Sequence, residues 1–203
     1  MVTLWRKFRR DSDGLSLTEA LITFPIMLLV ISAFVEFSFV LFQWTQTAKA
    51  LQVAARQLAV SDPLIDNLTT LLEADAAGLD AGDPYPSTIV SASCGAGTTA
   101  CNSNINRLIT GGDGVCRPDF LGAPGMCDIN PNFSADNVRV TYTRAGLGYF
   151  GRPGGPVVTI TVEARGLSFD MLLAGALLSL DSIPVPATPV TVTSEDLDTD
   201  YSD

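Results

Sequence analysis

The feature that most constrains this chain is one long apolar run near its amino terminus. Residues 20–42 are 23 consecutive positions with a single charged side chain, Glu36. A helix rises 1.5 Å per residue, so a run of this length crosses the ~30 Å hydrocarbon layer of a bilayer. The run therefore predicts one membrane-spanning helix, and the 203 residues leave one domain of ordinary size after it.

Charge is distributed very unevenly about this run. Residues 1–60 contain six basic and four acidic side chains, a net charge of +2, whereas residues 61–203 contain six arginines and 18 acids, a net charge of −12. The positive-inside rule places the amino terminus in the cytoplasm and everything after Phe42 outside. Residues 61–203 are acidic and contain no lysine, so nucleic acid is not an expected partner. The basic residues of the leader are Arg6, Lys7, Arg9 and Arg10.

A second motif lies where the leader meets the apolar run. Gly14 follows the basic residues, Leu15 comes next, and Glu19 stands at the membrane edge. A charge near hydrocarbon is disfavoured by a few kcal/mol, so a glutamate there needs a specific role. These are the features of a prepilin processing site. A peptidase would cut after Gly14 and expose an amine on Leu15, and Glu19 would neutralise such an amine on a neighbouring subunit.

Four spaced positions in this segment carry a family resemblance: Gly14, Glu19, Pro25 and Glu36. Together with Ala54-Ala55-Arg56 they make residues 8–60 resemble the TadE-like family of tight-adherence (Tad) pilus systems. The resemblance implies a non-catalytic pseudopilin or minor pilin that helps to assemble a Flp-type pilus. The implied partners are other pilin subunits, inner-membrane pilus assembly proteins, the prepilin peptidase and the lipid bilayer. The implied location is the bacterial inner membrane with a periplasmic carboxy-terminal domain, or the pilus itself or its tip.

Two residues of the apolar run, Glu36 and Pro25, each support a separate prediction. An ionisable group inside a membrane segment usually faces a partner, so Glu36 is expected to contact protein rather than to snorkel. Pro25 lacks an amide hydrogen and is expected to loosen the helix locally, although prolines also occur in ordinary spanning helices.

Two alternatives remain open at this stage. Ala48-Lys49-Ala50 is an A-x-A-like site at which a secretory signal could be removed. The helix pattern continues through this site. It therefore favours a basic leader that comprises residues 1–14, followed by a membrane anchor and stalk that comprise residues 15–60. The second alternative is an uncleaved single-pass anchor that carries an extracytoplasmic binding domain. The stripe that continues the helix is Trp44, Ala48, Leu51, Ala55 and Leu58.

The remaining residues, 61–203, predict a small head with an antiparallel sheet after the long helix, which makes the chain α+β, and the TadE-like resemblance implies that this architecture is pilin-like. Asp62 and Pro63 are expected to start a short second helix that ends at Gly78, and residues 79–135 are expected to be loops. Alternating residues predict strands at 138–143 and 158–165, with a last strand at 188–193. Residues 169–180 are expected to form an apolar helix, and residues 195–203 an acidic solvated tail. The buried face expected for the second helix is Leu64, Leu68, Leu71 and Leu72.

A glycine-rich stretch joins the two predicted strands. Gly146, Gly148 and Gly151 spell G-x-G-x-x-G, but Pro153 and Pro156 leave no helix start for a dinucleotide site, so we expect a hairpin loop. The chain has no histidine and its only lysines are Lys7 and Lys49. No enzyme activity and no cofactor are therefore expected.

Four cysteines lie in the predicted loop region: Cys94, Cys101, Cys116 and Cys127. An even count outside the membrane indicates two disulfides, for which three connectivities exist. Sequential pairing, Cys94 with Cys101 and Cys116 with Cys127, is favoured because both loops are short. A zinc site is the competing interpretation, but the cysteine spacings fit no compact zinc knuckle and no histidine is present, so no metal is expected.

Overall fold

The computed structural model describes residues 13–117, 122–153, 155–171, 182–185 and 188–194, with side chains from residue 18. The described residues separate into two compact units. One contains the amino-terminal helix up to Leu41. The other, which we call the head, contains the chain from Phe42 to Phe169 and resumes at Pro184.

The longest element is helix α1, Asp13–Leu58, of 46 residues. It covers the predicted spanning run and continues through Ala48-Lys49-Ala50, as expected for an anchor followed by a stalk. Pro25 lies inside this helix. The predicted long amino-terminal helix is therefore confirmed as one continuous element.

The head is built on a four-stranded antiparallel sheet, whose strands lie in the order β1 (Val90–Gly95), β2 (Val138–Arg144), β3 (Thr159–Ala164) and β6 (Val190–Thr193). Strands β2, Val138–Arg144, and β3, Thr159–Ala164, confirm the two predicted strands, and every second residue of each is buried. The last predicted strand is present as β6, Val190–Thr193. The observed fold class is α+β, as predicted.

The glycine-rich stretch between β2 and β3 is a hairpin loop, because the two strands pair antiparallel with Val140 opposite Val162. Gly146 has a φ of 77°, and a Cβ there would lie 3.1 Å from the Cα of Ser87. A close approach and a left-handed backbone both require glycine at this position.

The predicted second helix is mostly wrong. Helix α2 is only Leu68–Leu72, and Asn67 before it has a left-handed φ of 56°. The reason is that the backbone of Leu64 is engaged elsewhere: its N–H donates to the hydroxyl of Tyr142 at 3.1 Å, and its carbonyl accepts from the N–H of Asn102 at 2.9 Å. Of the expected buried face, Leu64, Leu68 and Leu72 are buried, whereas Leu71 is 49% exposed.

The predicted loop region contains regular structure that the sequence analysis missed. It holds strand β1, Val90–Gly95, and helices α3, Asn104–Thr110, and α4, Met126–Ile129. A 3-10 turn at Ala135–Asn137 leads into β2. The sheet therefore has an edge strand that the composition of this region did not suggest.

The predicted helix at 169–180 is wrong at its start, where the chain forms strand β4, Ser168–Asp170. Strand β5, Ser182–Pro184, pairs with β4 in a separate two-stranded sheet. The rest of the predicted helix, the basic leader and the acidic tail lie outside the described residues.

Candidate functional site

The amino-terminal part of α1 presents apolar side chains on all sides. Residues 18–58 form the one described helix that is long and apolar enough to cross a membrane, and an 18-residue window within it has a mean hydropathy of 2.3. From Leu21 to Phe42 most large hydrophobic side chains are exposed, Leu21 by 71% and Phe42 by 57%. A helix that exposes so much apolar surface needs a non-aqueous environment, which indicates membrane anchoring.

The predicted processing residues lie in the first turns of this helix. Gly14 and Leu15 belong to α1, and Glu19 is exposed about one turn further along. The backbone carbonyl of Glu19 accepts a hydrogen bond from the hydroxyl of Thr23 at 2.9 Å. The structure therefore presents the Glu19 carboxylate on the helix surface close to Leu15. Cleavage after Gly14 stays a prediction.

Glu36 has a different environment from Glu19. It is only 5% exposed, although its neighbours Val35 and Phe37 are 57% and 63% exposed. The two glutamates are 17 residues apart on one helix, which places them about 26 Å apart along its axis. They are therefore two separate positions, one on the surface near the amino terminus and one buried deep in the apolar segment.

The carboxy-terminal part of α1 forms one wall of the core of the head. Ala50, Leu51, Ala54, Ala55 and Leu58 are each at most 1% exposed. These positions recur at spacings of one, three and four residues, as on the buried face of an amphipathic helix. The core they join with β2 and β3 contains Val138, Val140, Tyr142, Ile160 and Val162.

This wall differs in part from the stripe expected from sequence. Leu51, Ala55 and Leu58 are buried as expected, but Trp44 is 40% exposed and Ala48 is only partly buried. The cleaved-signal alternative is disfavoured by the same packing. A cut after Ala50 would separate this fully buried residue from the core in which it packs.

Polar contacts fix the stalk part of α1 to the α4 segment. The side-chain amide of Asn130 donates to the hydroxyl of Thr47 at 3.0 Å, and both residues are buried. Further along, the side-chain amide of Gln57 donates to the carbonyl of Pro124 at 2.6 Å. Two contacts three turns apart hold this part of the helix in one orientation on the head.

Both disulfides are present in the sequential pairing that was favoured, Cys94–Cys101 and Cys116–Cys127. Because the four sulfurs are bonded in two pairs, they provide no thiolates for a zinc ion. Among the described residues, no group of three or more histidine, cysteine, aspartate or glutamate side chains could hold a metal.

The second disulfide lies in a closely packed segment. The Asp128 carboxylate, next to Cys127, accepts hydrogen bonds from the backbone N–H groups of Gly125 at 2.8 Å and Arg117 at 2.7 Å. A Cβ at Gly125 would lie 2.2 Å from the carbonyl oxygen of Ile109, so only glycine fits between α3 and α4. The bond and the carboxylate together tie Arg117 to the start of α4.

Arg144 is the polar centre of the head, and the sequence analysis did not identify it. It is fully buried at the end of β2, and its guanidinium donates to the carbonyls of Leu72 at 2.8 Å and Pro86 at 3.0 Å. It also forms an ion pair with Asp75, and its Cζ lies 4.9 Å from the ring centroid of Tyr85. One side chain thus ties the segment 72–86 to the sheet. The sequence does contain a signal for this residue. Arg144 occupies the next position in the alternating series of inward-facing residues Val138, Val140 and Tyr142.

Two tyrosines near this centre have shifted pKa values. Burial is the main cause of the raised pKa of Tyr85, and its hydrogen bond to Glu73 adds to the effect. Burial also raises the pKa of Tyr142 to about 12, against a smaller opposite effect of its hydrogen bond from the Leu64 N–H. Both phenols therefore favour the neutral form in the folded head.

Comparison with protein families gives one match. Residues 14–56 match the family model described as TadE-like protein. Curated proteins and solved structures gave no match. The matched segment starts at Gly14 and ends two residues before α1 does, so the TadE-like resemblance of this helix is confirmed and points to a part in Tad pilus assembly.

Proposed function

We propose that this chain is a pseudopilin or minor pilin of a Tad/Flp-type pilus, with a structural role in assembly. The observation that carries the proposal is α1, whose TadE-like segment begins at Gly14. Its amino-terminal part exposes apolar side chains while its carboxy-terminal part forms the core of the head. A subunit built in this way can be held in a bilayer by the same surface that later packs against other subunits.

The proposed topology follows from the charges and the cysteines. A basic leader in the cytoplasm and an acidic head in the periplasm satisfy the positive-inside rule. The two disulfides support this orientation, because such bonds persist in oxidising compartments such as the periplasm. The subunit then either stays in the bacterial inner membrane or enters the pilus, within the fibre or at its tip.

The proposed mechanism uses the first turns of α1. The prepilin peptidase removes residues 1–14 and leaves a charged amine on Leu15. Glu19 of the same chain is exposed, so its carboxylate is available to the amine of a neighbouring subunit. In an apolar environment such a pair is strongly favoured over either charge alone, because an isolated charge in hydrocarbon is expensive.

Substitution of Glu19 by glutamine tests this mechanism in the native host. Glu19→Gln removes the charge with almost no change of shape, so membrane insertion and protein level should stay within about twofold of wild type, since losing a charge makes insertion no harder. Pilus number and surface adherence should fall sharply. Glu163→Gln is the matched control, since this carboxylate lies in the head and forms partly exposed ion pairs with Arg139 and Arg165. Normal piliation in Glu19→Gln would refute the proposed pairing.

A further inference from the structure

The stalk part of α1 has a cationic face that no described acid neutralises. Lys49 and Arg56 are both exposed and seven residues apart, which places them on the same side of the helix about 10 Å apart. Within the described part of the chain, neither has a carboxylate within 4.0 Å.

Four other arginines of the head contrast with these two residues, because each of them forms an ion pair. Arg144 pairs with Asp75, Arg117 with Asp113, and both Arg139 and Arg165 pair with Glu163. Arg107 on α3 is exposed and, among the described residues, forms no ion pair. Lys49 and Arg56 thus place two cations without an ion-pair partner among the described residues on one helix face, although residues 61–203 carry a net charge of −12.

These cations border an open groove of about 420 Å³ between α1 and α4. Its one lining carboxylate, Asp128, is engaged by the backbone N–H groups of Gly125 and Arg117, which offsets part of its charge. The glutamine amides beside the cations can donate to and accept from the backbone of an extended peptide. The lining residues are Gln46, Lys49, Gln52, Val53, Arg56, Asp128 and Ile129.

Lipid headgroups fit this groove poorly. Arg56 is 14 residues beyond Phe42, the end of the apolar run, which places it about 21 Å further along the helix. The headgroup layer of a bilayer is only ~5–8 Å thick on each side. A phospholipid that contacts Lys49 therefore cannot also reach Arg56, and the pair of cations points to an acidic peptide.

We propose that this groove binds the acidic carboxy-terminal segment of the chain, residues 195–203. This segment has five acids in nine residues and no basic residue. In an extended chain, acids three residues apart, such as Asp200 and Asp203, are separated by ~10 Å, which matches the spacing of the two cations. The segment starts after Ser194, whose backbone and hydroxyl are hydrogen-bonded to Val158 of the head. Nine residues reach at most ~30 Å from that point.

Photo-crosslinking of the full chain in detergent micelles identifies the occupant. A benzophenone amino acid replaces Gln52, which lines the groove between the two cations, and the crosslinked peptides are mapped by mass spectrometry. The proposal expects crosslinks to residues 195–203, weakened in 0.5 M salt. The same probe at Thr70, which is exposed on α2, should give no crosslink to that segment. Crosslinks from Gln52 only to detergent, lipid or other segments would overturn the proposal.

Charge variants show whether the contact is electrostatic. Because Lys49 and Arg56 are exposed, Lys49→Ser with Arg56→Ser should leave the head folded, as circular dichroism can check, yet lower the crosslink yield about tenfold. In a charge-reversed variant, glutamate replaces the two cations and lysine replaces Asp198, Asp200 and Asp203. This variant should restore the crosslink yield. An unchanged yield in the serine variant, or no recovery in the charge-reversed variant, would refute the assignment. To find which chain provides the segment, two forms of the protein that differ in length because of their tags are mixed before irradiation. Crosslinks within one form or between the two forms show whether the segment binds its own groove or that of a second copy, and either result supports the proposal.

Discussion

Replacing Arg144 by methionine should cost the head a large part of its stability. The methionine fills much of the same volume, but it leaves the carbonyls of Leu72 and Pro86 without their donors. A buried acceptor without a partner costs ~1–3 kcal/mol, and breaking a buried ion pair by removing one side costs ~3–5 kcal/mol in all. Asp75 is 31% exposed and can turn to water, which limits the loss. We therefore expect a decrease of about 3–5 kcal/mol in the free energy of unfolding, out of the ~5–15 kcal/mol of an ordinary domain.

Urea-dependent pulse proteolysis of the full chain in mild detergent measures this difference. Arg165→Met is the matched control, because the Arg165 side chain is 50% exposed and pairs with a partly exposed carboxylate, Glu163. Its loss should cost at most about 1 kcal/mol. Arg144→Lys keeps the charge but cannot reproduce the planar fork, so it should fall between the two. If Arg144→Met and Arg165→Met were equally stable, the view of Arg144 as the centre of the head would be wrong.

Two further predictions concern stability. Removing both disulfides should lower the free energy of unfolding by ~2–3 kcal/mol per bond through the loop-closure effect alone. Reductant should therefore make residues 94–127 accessible to protease before β2 and β3. Full resistance to protease after reduction would contradict this. Tyr142 has a folded-state pKa of about 12, above its unfolded value, so its contribution is complete below pH 10 and is lost as the pH rises toward 12. Over that interval the free energy of unfolding of the wild-type head should fall by about 2–3 kcal/mol more than that of Tyr142→Phe, as measured by urea unfolding at each pH. The same dependence of this free energy on pH in both proteins would refute the assignment.

The elements that sequence analysis predicted correctly are those with a strong period. The apolar run could only be a helix, and the alternation in Val138, Val140 and Tyr142 could only be a half-buried strand. The same period of two was also present in Val90, Ala92 and Cys94, which form the side of β1 that packs on the core, with Cys94 buried and the other two partly buried. The glycine-rich and serine-rich composition around them concealed it, and pairing with β2 outweighs that composition.

The errors come from contacts between residues far apart in the chain. Pro63 and Asp62 have the residue types of a helix start, yet the backbone of Leu64 is taken by Tyr142, 78 positions away. Local propensity cannot foresee such a partner. The same holds for Arg144, whose three acceptors all lie in the segment 72–86. A charged side chain at an inward strand position is the sequence signal that could have revealed it.

The most direct test of the proposed function is the mass of the mature chain. Intact-mass measurement of the protein purified from its native host, with and without the prepilin peptidase, reads the amino terminus. The proposal predicts a chain that begins at Leu15, with loss of 14 residues, in the strain that has the peptidase, and a full-length chain in the strain that lacks it. A chain that begins at Met1 in both strains would contradict the proposal and favour an uncleaved membrane-anchored binding domain.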